Sequence, residues 1–192
     1  GYGGSTGTAG ALSGTVGVGL TSVGRDGTGL ADVVLTPLSI AVTGTVYRVA
    51  NPSLASVSFD LGNIREGESF GTRSLALTND VTVDAYSEKL NAVLGSVSGD
   101  ATKSGGPVSL LAPGASDSSL VVSLGGTATA GAKSGAVVVR FETDGTGTSG
   151  LSAAALSDQS VGLVGNVYRK AVGSVPLSVV FNAVREGETF QA

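Results

Sequence analysis

The chain has 192 residues, 31 of them Gly, and carries a formal net charge of −4 with a sequence pI near 4.7. It contains no Cys, His, Met or Trp, which excludes disulfides, thiolate metal sites and a histidine general base. No Lys/Arg cluster offers a nucleic-acid surface, and no apolar run approaches the ~20 residues of a membrane span.

Val, Leu and Ala supply nearly all of the 41% apolar content. Short β-branched runs punctuated by Gly, Ser, Thr and Asp predict an all-β chain with many turns. With no Met and no charged-then-apolar leader at Gly1, the chain is expected to be a processed product or a segment of something longer. An acidic, thiol-free, Gly/Ser/Thr-rich composition suits an exported bacterial protein.

Taken in chain order, the first informative stretch is "TGTAGALSGTVGV" (Thr6–Val18), followed by the Asp-Gly turn at Asp26 and by "GTVYR" (Gly44–Arg48). A first repeat unit ends there. Residues 1–48 read as the C-terminal strands of an immunoglobulin-like unit, and residues 49–168 as one complete unit. Within the latter, "SVSFDL" (Ser56–Leu61) and "RSLALTN" (Arg73–Asn79) alternate as half-buried strands on either side of a turn at Gly67. "KLNAVLGSV" (Lys89–Val97), "VSLL" (Val108–Leu111), "SSLVVSL" (Ser118–Leu124), "GAVVVRFET" (Gly135–Thr143) and "SVGLVGNVYR" (Ser160–Arg169) complete seven strands. "LAPGASD" (Leu111–Asp117) and "TDGTGTSG" (Thr143–Gly150) are turns, and "LSAAALSD" (Leu151–Asp158) leans towards a short helical turn. The predicted core comprises Phe59, Leu61, Leu75, Leu77, Leu120, Val122, Val137, Val139 and Phe141. Residues 169–192 read as the first strand of a following or partner unit.

The division rests on an internal repeat. Tyr47 and Tyr168 lie 168 − 47 = 121 positions apart, and the same shift lays Thr6–Val18 on Thr127–Val139 without a gap. It also pairs Leu30 with Leu151, Leu35 with Leu156 and Ser39 with Ser160. Downstream the shift is 185 − 65 = 120, which brings "REGE" at Arg65–Glu68 onto Arg185–Glu188, and Phe70 onto Phe190. Seven short strands in about 120 residues, separated by turns, is the sequence pattern of an immunoglobulin-like β-sandwich.

The stretches Leu111–Arg169 and Val57–Asp80 resemble the repeats of bacterial choice-of-anchor D surface proteins, which are ASH-like, immunoglobulin-like modules often found in tandem. The resemblance runs from Thr6 to Phe190 and implies a fold, with no catalytic residues to carry over.

Four features invite chemistry, and each has a structural explanation beside it. Tyr47–Arg48 and Tyr168–Arg169 suit either a repeated ligand patch or an edge tyrosine with an arginine at the unit junction. Arg65, Glu66 and Glu68 around Gly67 suit acid–base work, calcium, or a solvated turn with an ion pair to a neighbouring unit. Asp26 and Asp144 suit calcium or a simple Asp-Gly turn. "GTATAGAKSG" (Gly126–Gly135) approaches a phosphate loop, but Ala132 stands where Gly is needed before Lys133–Ser134, and a strand follows in place of a helix. No residue is assigned a catalytic, cofactor-binding or metal-ligating role, no cofactor is expected, and the chain is expected not to be an enzyme. The expected function is that of a structural repeat in an extracellular bacterial fibre, stalk or surface layer. Such a repeat would self-associate into a homo-oligomer or filament through its modules, with or without strand donation. The alternative is an adhesin-type module that recognises a glycan or another cell surface.

Overall fold

The computed structural model describes residues 6–181 and 183–189; Phe190, the repeat partner of Phe70, lies outside them. All regular structure among these residues is β. A long hairpin comes first, β1 (Gly10–Ser22) and β2 (Val33–Val46), followed by β3 (Pro52–Leu54), β4 (Ser58–Arg65), β5 (Arg73–Ser74) and β6 (Leu77–Asn79). Next come β7 (Lys89–Gly99), β8 (Ala101–Ser104), β9 (Val108–Leu111), β10 (Ser116–Asp117) and β11 (Val121–Leu124). The last are β12 (Gly131–Asp144), β13 (Ala154–Ala155) and β14 (Gln159–Tyr168).

From β3 onward the strands build an immunoglobulin-like sandwich. One sheet has the order β4-β14-β12-β7-β9, with β13 on β12. The facing sheet has two stretches, β3-β6-β10 and β5-β11-β8, which run into one another. Asn79 N–H donates to Ala115 O (3.0 Å) and Leu75 N–H to Leu120 O (2.8 Å), so residues 73–79 and 115–122 form one bent ladder. Leu77 pairs with Asp117 and Ser74 with Val121, which leaves one extra residue on the second strand, a bulge that bends the sheet. The segment from Pro52 to Arg65 begins antiparallel to β6 in one sheet and ends parallel to β14 in the other. It thereby joins the two layers at their edge.

Alternation puts the apolar side chains between the layers. Along β12, Val137, Val139 and Phe141 are buried; along β14, Val161, Leu163 and Val167. They meet Leu75, Leu77, Leu120 and Val122 of the facing sheet. Eight of the nine predicted core residues are buried, and Phe59 is partly buried against the same cluster. Each large side chain contributes roughly 1.5–3 kcal/mol by leaving water.

Two readings change. The helical leaning of 151–158 is not realised: Ala154 and Ala155 pair with Thr143 and Glu142, and Leu156 N–H donates to Phe141 O (2.9 Å). The long β12 offers an open backbone edge there, and Leu156 packs against the core, so tertiary pairing overrides the alanine-rich local preference. The strands β3 and β8 are additions, as is the two-residue β10 at the end of the expected turn Leu111–Asp117. β3 starts at a proline, tolerated at the first position of a strand, and β8 ("ATKS") carries no apolar alternation that a sequence reading would register.

The hairpin β1–β2 repeats the β12–β13–β14 arrangement pair for pair. Each of its nine pairs from Gly10↔Val46 to Val18↔Leu38, moved by 121, gives a pair from Gly131↔Val167 to Val139↔Gln159. Beyond an irregularity in both, Thr21↔Val34 and Ser22↔Val33 become Glu142↔Ala155 and Thr143↔Ala154. In the hairpin the extra residues at that irregularity include Pro37, a position where a missing N–H is harmless. What differs is cover. Val137, Phe141 and Val161 are buried, whereas their hairpin counterparts Val16, Leu20 and Ile40 are exposed. The glycines of the two "GxVYR" strands differ likewise. A Cβ on Gly165 would stand 2.6 Å from the Phe70 ring, while one on Gly44 would meet nothing within 4 Å.

Two outcomes follow for denaturant unfolding of the full chain. Phe141→Ala costs ~3–5 kcal/mol through the cavity it opens. Gly165→Ala costs about 1–3 kcal/mol by overpacking against Phe70, whereas Gly44→Ala leaves the unfolding midpoint within about 0.5 kcal/mol of the parent. Equal effects of the two alanines would contradict the difference in cover.

Candidate functional site

The residues around the two "GxVYR" strand ends were the sequence's strongest candidates, and the structure treats them differently. Tyr47 and Arg48 are docked. Arg48 N–H donates to Tyr86 O (2.7 Å), and Glu88 N–H donates to Arg48 O (3.0 Å), an isolated parallel bridge to Ser87. The Arg48 guanidinium donates to Asp84 Oδ2, and the Tyr47 ring lies 6.1 Å from that of Tyr86, tilted by 54°. The aromatic and ionic pairs thus bracket a two-bond backbone joint.

Asp84 organises its loop through its other oxygen. Oδ1 accepts from Tyr86 N–H (2.9 Å) and from the Ser87 hydroxyl (3.0 Å). The Tyr86 amide first, and then Arg48, hold the Asp84 carboxyl below the usual carboxylate range.

Behind the joint lies a buried polar chain. Ala50 N–H donates to Thr143 Oγ1 (2.9 Å), and the Thr143 hydroxyl donates to Glu88 Oε2 (2.7 Å). The Ser149 hydroxyl donates to Glu88 Oε1. Asn79 Nδ2 donates to Glu88 O (3.2 Å) and Leu111 O (3.1 Å), while its Oδ1 accepts from Asn51 N–H (3.1 Å). Asn79, Ser87, Glu88 and Thr143 are all buried, and satisfied buried polar groups fix one geometry because each lost bond strands a partner. The entry segment 47–51 is therefore keyed into the sandwich. None of Asp84, Tyr86, Glu88 or Asn79 stood out in the sequence; the only available signal was a Tyr with two acids in a chain with four Tyr.

The "REGE" turn sits at the far end of the sheet. Gly67 has φ +82°, and Glu68 N–H donates to Arg65 O (3.0 Å), the geometry in which a second central glycine is favoured. Glu68 Oε2 accepts from Arg65 N–H (2.9 Å), and Glu66 Oε1 accepts from Ala130 N–H (2.8 Å). Glu66 N–H donates to Tyr168 O (2.9 Å) and Gly67 N–H to Thr127 O (3.0 Å). Glu66 and the turn's backbone thus tie β4 to the β12 and β14 ends, while the Glu68 carboxylate closes its own turn on Arg65. The second copy makes the same local turn: Glu188 N–H to Arg185 O (3.0 Å), Arg185 N–H to Glu188 Oε2 (3.0 Å), with Gly187 at φ +89°.

The remaining candidates are turns. Asp144 Oδ1 accepts from Thr146 N–H (2.8 Å) and Oδ2 from Asn91 Nδ2 (2.9 Å); the Thr146 bonds, then Asn91, lower its carboxyl affinity for protons. Asp26 lies in a turn closed by Thr28 N–H to Arg25 O (3.1 Å). Lys133 and Ser134 are within β12, and the Lys133 ammonium donates to Thr129 Oγ1 (3.1 Å). No helix begins there, so the phosphate-loop geometry is absent. Tyr168 and Arg169 are exposed, with Arg169 reaching only to Glu66 at 3.9 Å.

No protein-family model and no curated protein matches the chain. Among solved structures it is similar to the ASH / PapD-like domain of human CEP192 (PapD-like domain 7), at 13% identity and a TM-score of 0.46, over 64% of this chain and 89% of that one.

Trypsin distinguishes the two copies of the strand end. The Arg48 side chain is 33% exposed and its backbone bonded, whereas that of Arg169 is 82% exposed. Cleavage after Arg169 is expected to run at least tenfold faster than after Arg48, and Asp84→Ala raises the Arg48 rate selectively. The acid dependence has a definite sign. A depressed carboxyl pKa contributes stability that is present above the unfolded value, ~3.9, and is lost as pH falls through the folded value. The Tyr86 amide resonance should therefore titrate below the ordinary aspartate range, and stay flat in Asp84→Asn.

Proposed function

We propose that the chain is part of a tandem array of immunoglobulin-like modules of about 120 residues, related to the choice-of-anchor D repeats, serving as a structural element of a bacterial fibre, stalk or surface layer outside the cell. In this reading residues 1–48 are the closing strands of one module, 49–168 a whole module, and 169–192 the opening strand of the next. The observation that carries it is the keyed joint at Tyr47–Asn51. A flexible linker would leave those backbone groups to water, whereas here one strand pair passes into the next sandwich through hydrogen bonds, an ion pair and a tilted pair of tyrosine rings. A repeat array stabilised by neighbour contacts extends by reusing one such joint.

The acids point the same way: Glu66, Glu68, Asp84 and Asp144 each spend their oxygens on nearby N–H or hydroxyl donors that fix turns and joints. The role proposed is accordingly mechanical, with no catalysis, no nucleic acid and no bound cofactor.

Immunogold electron microscopy with antibodies to residues 49–168 tests the reading. Intact source cells are expected to label along extended, regularly spaced surface structures. Labelling that requires permeabilised cells would overturn it.

A further inference from the structure

One side of the sandwich brings two sheet edges together. β8 ends its sheet and pairs only with β11. β7 lies between β12 and β9, but β9 reaches only as far as Val108, opposite Ala92. Among the described residues no strand pairs with Val93–Gly99 on that side. This stretch reads "VLGSVSG", without a charge or a proline, and Val93 and Val97 are exposed. A bare, uncharged edge is a template on which another chain can pair.

The edge is kinked where it is bare. Leu94 pairs with Val139 and Val97 with Val137, so Gly95 and Ser96 together oppose Val138, a β-bulge. Along a regular antiparallel strand, successive residues turn their backbone groups to opposite edges. At this bulge two successive carbonyls converge instead: the Lys103 ammonium donates to Leu94 O (2.7 Å) and to Gly95 O.

Lys103 comes from the other sheet. On β8 it lies directly opposite Val122, as Ala101 lies opposite Leu124. Ala101, Val122 and Leu124 are buried between the layers. Residues opposite one another across a ladder share a face, so Lys103 stands on the inward face of an edge strand. Its ammonium meets carbonyls at the rim and, among the described residues, forms no ion pair with a carboxylate. A charge turned inward on an edge strand and a bulge that bends the edge are two ways in which sheets avoid pairing edge to edge. Here one lysine joins them.

We propose that Lys103 is an edge guard: by holding the outward carbonyls of Leu94 and Gly95, it keeps β7 from pairing antiparallel with β7 of a second copy of this chain. Pairing of one edge with its own copy is two-fold symmetric, and Val93–Gly99 brings no charge of its own to oppose it. Lys103 opposes it twice. It occupies acceptors that an incoming strand's N–H groups would need, and two copies would bring two ammonium groups into one contact. All of these residues lie between Ala92 and Val139, inside one sandwich, so the guard does not depend on the module reading above.

Lys103→Met keeps the length of the side chain while removing its donors and charge, and the carbonyl of Gly95 at the rim is open to water. In sedimentation of the full chain, this variant is expected to self-associate at least tenfold more tightly than the parent, with the parent's unfolding midpoint. Amide exchange within Val93–Gly99 should slow as the variant is concentrated, and stay unchanged in the parent. Adding Ser96→Lys puts a charge back on the same edge and returns association to the parental level. Association no tighter than the parent's, protection that arises in Gly10–Val46 instead of β7, or tight association that survives Ser96→Lys overturns the guard. A Lys103→Met chain that loses the parent's cooperative unfolding transition makes Lys103 a residue that holds the fold, and overturns it equally.

Discussion

A strand at the margin of a sheet presents a row of N–H and C=O groups that must find partners in protein or water. On β14 that row is met by β4, which enters from far upstream after starting its course in the opposite layer. This parallel ladder closes the sandwich at its edge, and much else depends on it. It positions the Gly67 turn against Tyr168 and Thr127, lays Phe70 over Gly165, and brings Leu61 and Phe59 to the core. Among the described residues the hairpin β1–β2 shows the same strands without that partner. Its internal register is intact, and its apolar face is exposed.

The comparison separates what local sequence controls from what distant pairing controls. Strand alternation from Val137 to Phe141 and from Val161 to Val167 is legible because one face of each strand is buried, and a one-residue slip would turn every valine outward. The Gly67 and Gly187 turns are legible too, because glycine and the following glutamate hold them without help from other strands. The pairing of Gly10–Val18 with Leu38–Val46 recurs in that of Gly131–Val139 with Gln159–Val167. By contrast, "LSAAALSD" was misread because alanine is indifferent to which backbone takes it, and the open edge of β12 decided the matter. β3 and β8 were invisible because "PSL" opens on a proline and "ATKS" offers no apolar alternation, unlike the equally short "VSLL" of β9.

The joint was the least legible part. Tyr47 and Arg48 were marked by repetition, but their partners lie in an irregular loop between β6 and β7 where no periodicity applies. Asp84 earns its role by accepting three donors at once, and Glu88 by facing Thr143 and Ser149 inside the fold. Such roles depend on spatial convergence of residues that are unremarkable individually. Leu110 is a similar case. Its φ of 53° is uncommon for a side chain of this kind, and it occurs where β9 bulges against β7, with Leu110 N–H donated to Asn91 Oδ1 at 2.7 Å. The hydrogen bond compensates a backbone that the leucine alone would avoid.

The parallel direction of β4 and β14 also fixes how the sandwich answers to tension. Because the two strands run the same way, the start of β4 and the end of β14 lie at opposite ends of their shared ladder. Pulling the module apart by its entering and departing chain loads that ladder in shear, so its hydrogen bonds, from Ser58 to Arg65, resist together. An antiparallel hairpin pulled at adjacent ends opens one bond at a time, like a zip. A stalk built from such modules would yield abruptly at high force and hold its length below it.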